Sequence, residues 1–485
     1  MALLTKTKYL AGLQCSKLLW TLINDKASIP EPDESQELIF DTGTDVGVLA
    51  TSLYPEGIKV SEGNFMENIN QTKTLLDKNK PLFEPGFMVD DLFSRGDILV
   101  PNDNDTWDIV EVKSSTKLKE VNIHDVSFQK LVYEKAGLKI DKCYVMHIDK
   151  TYVRNGDIEP EKLFIKEDIT EQVKEFEVGI KERVKDMKAV LNGKKPKIDI
   201  GNYCNNPTDC SLTDDCWDFL PKGNVFDLTR GGKRSWELYS KNIIKIKDIP
   251  NEFKLSEKQE IQRQAALTGK PHVEPANIKK FIDGLNYPLY YFDFETINPA
   301  VPIFNGMSPY QKIPFQYSLH IQETEDGELK HVSFLADHKK DPREEILKSM
   351  QENLGTEGTI LAWNQSFEIG VIKELVANFP EYEEWGSQTI KRVDDLIIPF
   401  RQFNYYNSIQ KGSASLKNVL PALTDLSYDN LEIGNGADAS SLYHRMVIDE
   451  LQPFEVEKIR TDLETYCTQD TYAEVVILKE LRKLV

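Results

Sequence analysis

Two carboxylates stand two residues apart in an apolar segment, at Asp293 and Glu295. In a β-strand, residues i and i+2 point to the same face, so this spacing projects both acids together. Neighbouring carboxylates repel each other, and the pKa of at least one rises unless a cation neutralises them. Because apolar residues flank the pair on both sides, the segment 289–295 is typical of a buried central strand. We therefore predict that the pair binds a divalent metal ion.

Further along the chain, two more acids and a tyrosine could complete such a site. Glu368 follows a strand predicted over 359–364 and falls in the first turn of a helix predicted over 367–378, where an acid also interacts favourably with the helix dipole. Tyr466 and Asp470 are four residues apart, so they share one face of the helix predicted over 459–484.

This ordered set resembles the DnaQ-like (DEDD) exonuclease superfamily, which has an RNase H-like fold. Asp293 and Glu295 are similar to its first motif, Glu368 to its second, and Tyr466 with Asp470 to its third in the tyrosine variant. The second motif normally carries Asp, so Glu368 is a departure. The resemblance implies a 3′→5′ exonuclease whose acids hold two Mg²⁺ or Mn²⁺ ions about 3.5–4 Å apart. The tyrosine would orient or deprotonate the attacking water.

The surrounding sequence carries further likenesses. Segments 393–396 and 413–420 resemble those that usually lie between the second and third motifs. The block 286–484 also resembles an uncharacterised bacterial domain that occurs fused to RecB-like nucleases. Its likeness is carried by 288–296, 309–320 and 466–471.

A second possible site lies nearer the N-terminus. Glu111 and Lys113 share one face of a predicted strand, and a hairpin around the turn-forming segment 101–105 can bring Asp97 beside them. Two acids would bind metal there, while the ammonium group positions water and stabilises developing charge. Gln129 and Tyr133 follow on one face of a predicted helix.

The ordered five-residue set resembles the RecB-like branch of the PD-(D/E)XK nucleases. The likeness assigns catalytic roles to Asp97, Glu111 and Lys113 and a role in contacting the substrate strand to Gln129 and Tyr133. RecB-like enzymes often carry a metal-binding His on the first helix, and the comparable segment 43–47 has none. The N-terminal site would therefore bind metal with fewer protein ligands or with more water.

Four of the six cysteines form a set of soft ligands. Cys204, Cys210 and Cys216 fall within 13 residues, and Cys15 precedes the predicted nuclease core. Four thiolates suit zinc or an iron–sulfur cluster. One early cysteine with three late ones resembles the iron–sulfur RecB-like nucleases, including the CRISPR-associated adaptation nucleases, although the spacing of the last three differs. This resemblance favours a [4Fe–4S] cluster that closes the domain, with Zn²⁺ as the alternative. The remaining two, Cys143 and Cys467, are interpreted as ordinary buried thiols.

Composition indicates a globular, water-soluble chain of two or three domains. The 485 residues are 40% hydrophobic and 28% charged, with a net charge of −20. No apolar run is long enough to span a membrane and the start lacks an apolar signal region, so we expect a cytoplasmic protein. The acidic total excludes a simple nucleic-acid coat protein but not a nuclease, because net charge says little about one groove.

The pattern of elements predicts an α/β protein that combines a PD-(D/E)XK restriction-endonuclease-like domain with an RNase H-like DEDD exonuclease domain. We assign the first to 1–220, a basic helical linker to 221–285 and the second to 286–485. The segment 222–280 holds 13 Lys and Arg against 7 Asp and Glu. It is either a solvated linker or a surface that carries nucleic acid between the two sites.

Three functions remain open from the sequence. The first is a DNA-processing enzyme with two nuclease sites that acts on single strands or ends. The second makes RNA the substrate of the C-terminal exonuclease site. The third is a nucleic-acid-binding scaffold whose sites have decayed. The chain has no phosphate-binding P-loop motif, so any unwinding would come from a partner helicase, and a defence-system partner is equally compatible.

Overall fold

The computed structural model describes residues 2–61 and 63–485. The chain divides into two compact units. The N-terminal unit comprises the residues up to Phe219 together with Pro299–Gln311, and the C-terminal unit comprises Leu220–Asn298 and Lys312–Val485. Both combine helices with mixed sheets, so the broad prediction of an α/β protein is confirmed.

The N-terminal unit has nine described strands and nine α-helices. The strands are β1 (Leu4–Thr5), β2 (Ile58–Lys59), β3 (Leu82–Phe83), β4 (Gly86–Val89), β5 (Leu92–Arg95), β6 (Ile98–Asn102), β7 (Thr106–Lys113), β8 (Ile140–Ile148) and β9 (Phe164–Asp168). The helices are α1 (Lys6–Gln14), α2 (Ser16–Asn24), α3 (Glu34–Thr51), α4 (Phe65–Leu76), α5 (Glu120–Lys135), α6 (Pro160–Leu163), α7 (Thr170–Glu177), α8 (Ile180–Leu191) and α9 (Thr213–Trp217).

A six-stranded sheet with the order β2-β3-β6-β7-β8-β9 organises this unit. Strands β6 and β7 form an antiparallel hairpin, while β7 and β8 are parallel and are joined through α5. A parallel pair needs such a crossover connection. Helix α5 packs on the sheet through apolar side chains such as Phe128 and Val132, which belong to the same buried core as Ile109 and Val145.

The C-terminal unit has seven described strands and ten α-helices. The strands are β10 (His272–Val273), β11 (Leu289–Ile297), β12 (Ile313–Gln322), β13 (Leu329–Leu335), β14 (Thr359–Ala362), β15 (Val393–Asp395) and β16 (Tyr405–Tyr406). The helices are α10 (Lys233–Ser240), α11 (Glu257–Thr268), α12 (Pro275–Ile282), α13 (Arg343–Asn353), α14 (Ser366–Asn378), α15 (Glu383–Ile390), α16 (Ile398–Arg401), α17 (Leu416–Leu423), α18 (Gly436–Ile448) and α19 (Pro453–Arg482).

Its main sheet has five strands in the order β13-β12-β11-β14-β15. The central strand β11 is antiparallel to β12 and parallel to β14, which is in turn parallel to β15. The carboxyl ends of β11, β14 and β15 therefore meet at one edge, where α/β proteins commonly bind ligands.

Side chains alternate along β11, so its apolar residues face the core and its acids face the opposite side of the sheet. Phe292 and Phe294 pack into the apolar cluster with α13 and α14. Asp293 and Glu295 point to the opposite face. Helix α19 covers that face, since the Ser318 hydroxyl bonds that of Thr471 at 2.7 Å and Asp293 pairs with Ser318 in the sheet.

Three local predictions differ from the structure. The charged amphipathic pattern of 169–191 predicts one helix, but the structure has two, α7 and α8, because Gly179 between them has a φ of 77° that suits glycine. The sequence of 87–112 predicts two strands separated by the turn-forming segment 101–105, but the structure has four shorter strands there, β4 to β7. The segment predicted as a linker belongs to the C-terminal unit and has a small core of its own, which includes Val225, Leu238 and Ile246.

Among the helices of the described residues, none combines the length and the apolar character that a membrane crossing requires.

Candidate functional site

Three acids from two elements converge in the C-terminal unit. One carboxylate oxygen from each of Asp293, Glu295 and Asp470 lies within 4.8 Å of the others. The first two extend from β11 and the third from α19, which packs across that strand. Glu295 and Asp470 are buried, and Asp293 is half-buried. Oxygen ligands at this spacing are the type that Mg²⁺ and Mn²⁺ prefer.

The charges in this cluster repel one another. Burial, followed by the charges of Asp470 and Glu295, raises the pKa of Asp293 well above its usual value. Burial and the charge of Asp470 do the same for the pKa of Glu295. Burial also raises the pKa of Asp470 to about 6. No member of the cluster forms an ion pair with Lys or Arg in the described part of the chain, so the site lacks compensating charge within ion-pair distance.

A tyrosine and a lysine that the sequence analysis did not single out complete the surroundings of Asp470. The buried Tyr428 hydroxyl donates a hydrogen bond of 2.6 Å to Asp470 Oδ1. The Lys417 ammonium lies 5.4 Å from the Tyr428 ring centre and 5.5 Å from that of Tyr466. Burial lowers the pKa of Lys417, which still attracts Asp470 and Glu295. The sequence offered one signal for Lys417, because the residue falls in segment 413–420. That segment resembles one that lies between the second and third exonuclease motifs.

Glu368 lies beside this cluster rather than inside it. It occupies the first turn of α14, as predicted, and its side chain is buried. Its Oε2 atom has no hydrogen-bond partner in the described chain. Burial raises its pKa to about 8, and the charge of the buried Asp395 adds to the rise. The charge of Glu368 in turn raises the pKa of Asp293.

A fifth acid, Glu474, was missed by the sequence analysis. It follows Asp470 by one helical turn on α19, so Tyr466, Asp470 and Glu474 share a face. Its side chain is buried, and its Oε2 atom also has no hydrogen-bond partner among the described residues. Burial and the charge of Glu368 raise its pKa well above the usual value. The four-residue spacing from Asp470 was the signal that could have identified it.

This cluster lies largely in a segment shared with other proteins. Residues 290–415 match the family model of a domain of unknown function, DUF2779. The match includes Asp293, Glu295 and Glu368 and ends before Tyr466 and Asp470.

Three curated relatives come from mycoplasmas and ureaplasmas. The uncharacterized protein MG366 of Mycoplasma genitalium is 25% identical over 218 residues, 40% of this chain and 32% of the relative. The uncharacterized protein UU173 of Ureaplasma parvum is 27% identical over 219 residues, 40% of this chain and 31% of the relative. The MG366 homolog of Mycoplasma pneumoniae is 24% identical over 205 residues, 39% and 31% of the two chains. The chain thus spans about a third of the length of these relatives.

In the N-terminal unit, the β6–β7 hairpin brings the predicted acids together. Ile98 pairs with Val110, so Asp97 stands opposite Glu111 at the end of the hairpin. Asp97 Oδ2 accepts a 2.6 Å hydrogen bond from the backbone N–H of Val112. The turn over 103–105 makes this register possible, as the sequence predicted.

Two lysines and a further acid surround Glu111. Lys113 Nζ lies 2.6 Å from Glu111 Oε1 and 2.8 Å from Asp125 Oδ2. Lys6 Nζ lies 2.8 Å from the same Glu111 oxygen and 3.6 Å from Asp125 Oδ1. Neither Lys6 nor Asp125 was predicted. Asp125 precedes Gln129 by four residues on α5, which was a usable signal, whereas Lys6 is 105 residues from Glu111 and no local pattern connects them.

Gln129 and Tyr133 lie on the same face of α5, one and two turns after Asp125. Gln129 Nε2 donates to Glu111 Oε2 at 2.6 Å and to Asp125 Oδ1 at 3.1 Å. The Tyr133 hydroxyl donates to the Pro85 carbonyl at 3.3 Å. Gln129 and Tyr133 are both buried and therefore form the inner part of the pocket wall.

Charge is nearly balanced in this pocket. Burial raises the pKa of Glu111, but the ammonium groups of Lys113 and Lys6 outweigh burial and hold that pKa below its usual range. Burial and the charge of Glu111 raise the pKa of Asp97 to about 7. Burial likewise raises the pKa of Asp125. The pocket thus differs from the C-terminal cluster because ammonium groups already neutralise its central carboxylate.

The four predicted cysteines line one small cavity in the N-terminal unit, namely Cys15, Cys204, Cys210 and Cys216. The Cys210 N–H donates to the Cys204 carbonyl at 2.8 Å, and Lys17 Nζ lies 3.0 Å from Cys216 Sγ. Cys143 and Cys467 are buried elsewhere, as expected of ordinary thiols.

Proposed function

We propose that the chain is a metal-dependent nuclease that hydrolyses phosphodiester bonds of DNA from a 3′ end at the C-terminal cluster. The observation that carries the proposal is the approach of Asp293, Glu295 and Asp470 oxygens to within 4.8 Å without ion-pair compensation. Buried carboxylates in that arrangement are costly unless a multivalent cation joins them. A DEDD-type, RNase H-like fold is part of the proposal, supported by acids on the central strand that face the helix carrying Tyr466 and Asp470.

The residues fit a site for divalent cations. Asp293, Glu295 and Asp470 would hold the first ion, while Glu368, which has an unpartnered buried oxygen, would contribute to a second. When bound, two Mg²⁺ or Mn²⁺ ions activate water and stabilise the leaving oxygen. The longer side chain of Glu368 would have to compensate for the departure from Asp in the second motif.

In the reaction, the oxygen of one water attacks the terminal phosphorus and the bond from phosphorus to the 3′ oxygen breaks. The water supplies a hydroxyl to the released 5′-mononucleotide and a proton to the new 3′ end. Burial, with the charges of Asp470 and Glu295, raises the pKa of Tyr466 far above neutrality. Bound cations would offset those charges, so its phenol would orient the attacking water or deprotonate it. Lys417 supplies positive charge beside the reacting phosphate.

The N-terminal pocket is proposed as a second, RecB-like site on a PD-(D/E)XK-type core. Asp97 and Glu111 would hold a metal ion, Lys113 would position water, and Gln129 would fix the Glu111 carboxylate through its 2.6 Å hydrogen bond. Because Lys6 already contacts Glu111, metal binding here requires that ammonium group to move aside. We therefore propose that this site binds metal more weakly than the C-terminal cluster.

For the four-cysteine cavity we propose a [4Fe–4S] cluster that acts as a structural staple. Four thiol groups around one small cavity suit an iron–sulfur cluster, with Zn²⁺ as the alternative. Bound there, it would tie Cys15 to the 204–216 loop.

The decisive experiment is digestion of 5′- and 3′-labelled single- and double-stranded DNA, with matched RNA strands, in Mg²⁺ or Mn²⁺. Wild-type protein should release mononucleotides from the 3′ end, and Asp470→Asn should reduce the rate by at least about a hundredfold. Glu464→Gln is the matched control, because Glu464 lies on the exposed side of the same helix.

Other outcomes identify the alternatives. Faster trimming of RNA would make the C-terminal site an RNA exonuclease. Absence of hydrolysis with either metal, in a folded protein that still binds strands, would support a scaffold with decayed sites. Helicase or defence-system partners are proposed only as sources of unwound ends, because the chain has no P-loop motif.

A further inference from the structure

A basic cavity of about 500 Å³ lies in the C-terminal unit, apart from the acid cluster. Its walls come from three stretches of the chain, around 229–234, 256–259 and 401–414. Four of its lining side chains are cationic, whereas one is acidic, Glu257; the cations are Arg230, Arg234, Lys258 and Arg401. This concentration of positive charge stands out in a chain whose net charge is −20.

Two of these cations are available to a ligand. Arg230 and Arg234 are exposed, and neither forms an ion pair in the part of the chain that the structure describes. The other two are fixed in place. Lys258 Nζ donates to the Arg401 carbonyl at 2.6 Å and lies 5.6 Å from the Phe403 ring centre.

Arg401 connects the cavity with the surroundings of Glu368, which lies beside the acid cluster. Its Nη1 atom lies 3.5 Å from Asp395 Oδ2, and its Nη2 atom donates to Asn364 Oδ1 at 3.2 Å. Asn364 lies four residues before Glu368 at the carboxyl end of β14. A second connection joins the same two places, since the Trp363 indole N–H donates to the carbonyl of the cavity-lining Ala414 at 3.0 Å.

We propose that this cavity binds the phosphodiester backbone of a single-stranded nucleic acid whose 3′-terminal phosphodiester lies at the acid cluster. The inference rests on the proposed function, because it assigns a substrate-holding surface to that site. Guanidinium groups bind phosphate oxygens through paired hydrogen bonds, which suits Arg230 and Arg234. The volume falls within the usual range for small-ligand pockets, so it fits a strand one nucleotide wide rather than a duplex.

The segment predicted as a linker or a nucleic-acid-carrying surface supplies most of this charge. Arg230, Arg234 and Lys258 all belong to 222–280, and Arg401 joins them from the end of α16. The proposal therefore favours the second interpretation of that segment for the C-terminal unit.

The test measures binding without hydrolysis. Fluorescence anisotropy of a labelled 15-nucleotide DNA strand is recorded in EDTA over a range of salt concentrations, for wild type and for Arg230→Gln/Arg234→Gln. Each neutralised phosphate contact contributes about 0.7 to the slope of log affinity against log salt for single strands, so the double variant should lower that slope by about 1.4. Its affinity should fall by at least about fivefold.

Lys222→Gln/Lys254→Gln is the matched control, since it removes the same charge from exposed positions outside the cavity. It should retain the wild-type slope and affinity. An RNA strand of the same sequence, run in parallel, should behave as the DNA does if the backbone alone is recognised.

Unchanged slope and affinity in the arginine variant would overturn the proposal. The proposal would also fail if the arginine variant lost binding of inorganic phosphate or of a mononucleotide but still bound the strand as wild type does. That result would make the cavity a site for small anions. Because EDTA prevents hydrolysis, these results do not depend on the nuclease assay. A protein that binds strands through the cavity but never cleaves them would remove the proposed function and retain this inference.

Discussion

The Lys6 ammonium lies 2.8 Å from Oε1 of the buried Glu111, although 105 residues separate the two in sequence. Lys113 contacts the same oxygen at 2.6 Å. Two ammonium groups therefore hold the one carboxylate that would bind metal in the proposed N-terminal site. The C-terminal cluster has the reverse balance, because its acids approach one another without such a partner.

Replacing Lys6 tests whether it competes with metal. Lys6→Met keeps the length of the side chain and removes its charge, so Glu111 gains room for a cation while Lys113 remains. We expect Mn²⁺ to bind the N-terminal site at least about tenfold more tightly, because the ammonium no longer has to move. Without metal, loss of a charged hydrogen bond should lower the free energy of unfolding by about 1–3 kcal/mol.

Isothermal titration of Mn²⁺ into Lys6→Met, made in an Asp293→Asn background to silence the C-terminal cluster, provides the measurement. Lys8→Met is the control, since Lys8 donates to the Leu3 carbonyl and does not contact Glu111. Equal Mn²⁺ affinity in both variants would contradict the prediction that Lys6 competes with the metal ion for Glu111.

The C-terminal cluster should be more stable without one of its acids when metal is absent. Asp293→Asn removes a charge from a group whose oxygens lie within 4.8 Å of one another, so the metal-free protein should unfold at a higher temperature. The same variant should lose most of the stabilisation by Mn²⁺, which for wild type amounts to about 2.7 kcal/mol at a hundred times the Kd.

Thermal unfolding with and without Mn²⁺ separates these effects, and Glu464→Gln should match wild type in both conditions. A wild-type protein that gains no stability from Mn²⁺ would contradict the assignment of this cluster as a metal site.

Much of the architecture followed from local pattern. Alternation along β11 predicted that Asp293 and Glu295 share a face, and helical spacing predicted that Tyr466 and Asp470 do. Both relationships hold because they depend on backbone geometry alone. Gly179 shows the limit of periodicity, since one residue with positive φ divides a continuous amphipathic pattern into two helices.

The remainder of each site depends on contacts that local pattern does not encode. Lys6 and Tyr428 approach their acids only after distant elements pack together, so no spacing in the sequence identifies them. Glu474 is different, because its helical spacing from Asp470 was readable. The spacing does not show, however, that the carboxyl group of Glu474 is buried beside the other acids.

The free energy of unfolding should decrease at acidic pH because the folded protein keeps the His320 ring neutral. Burial and the charge of His331 lower the pKa of His320 to about 4, and its Nδ1 atom lies 2.8 Å from the Thr471 hydroxyl. In the unfolded chain the ring has a pKa of about 6.5 and is protonated below that pH. In the folded protein the ring stays neutral until the pH approaches 4. The stabilising contribution is thus present above about pH 6.5 and is lost as the pH falls towards 4.

We expect this group to account for about 1 kcal/mol of the loss between pH 7 and pH 5, an amount reduced for solvent screening of the ring. Urea unfolding of wild type and His320→Asn at both pH values gives the difference. The asparagine variant should show a smaller dependence on pH. Parallel curves for the two proteins would exclude His320 as the source.

Gly96 should not tolerate a side chain. A Cβ atom there would lie 2.5 Å from Gln129 Oε1 and 2.6 Å from the Tyr133 hydroxyl, both in the N-terminal pocket. Gly96→Ala should lower the free energy of unfolding by about 1–3 kcal/mol, because the displaced side chains are packed on all sides. Gly43→Ala is the control, since Gly43 lies in α3 with no atom within 4 Å of its added Cβ.

The control should gain about 0.5–1 kcal/mol, because alanine is the better helix former. Chemical denaturation of both variants measures the two shifts. If Gly96→Ala were as stable as wild type, Gln129 would be free to move, and its hydrogen bond to Glu111 would not fix the pocket.

The cysteine cavity predicts a stoichiometric iron–sulfur centre in anaerobically purified protein. Iron and acid-labile sulfide should be present together with broad visible absorbance, and Cys204→Ala should lose all three because one of four thiolate ligands is gone. Cys143→Ala should keep them, since Cys143 is buried elsewhere in the same unit. Loss of the centre should also lower the unfolding temperature of the N-terminal unit, because the link between Cys15 and the 204–216 loop restricts the unfolded chain. Zinc without iron or sulfide would replace the cluster by the single-ion alternative, and wild-type metal content in Cys204→Ala would remove the cavity as a metal site.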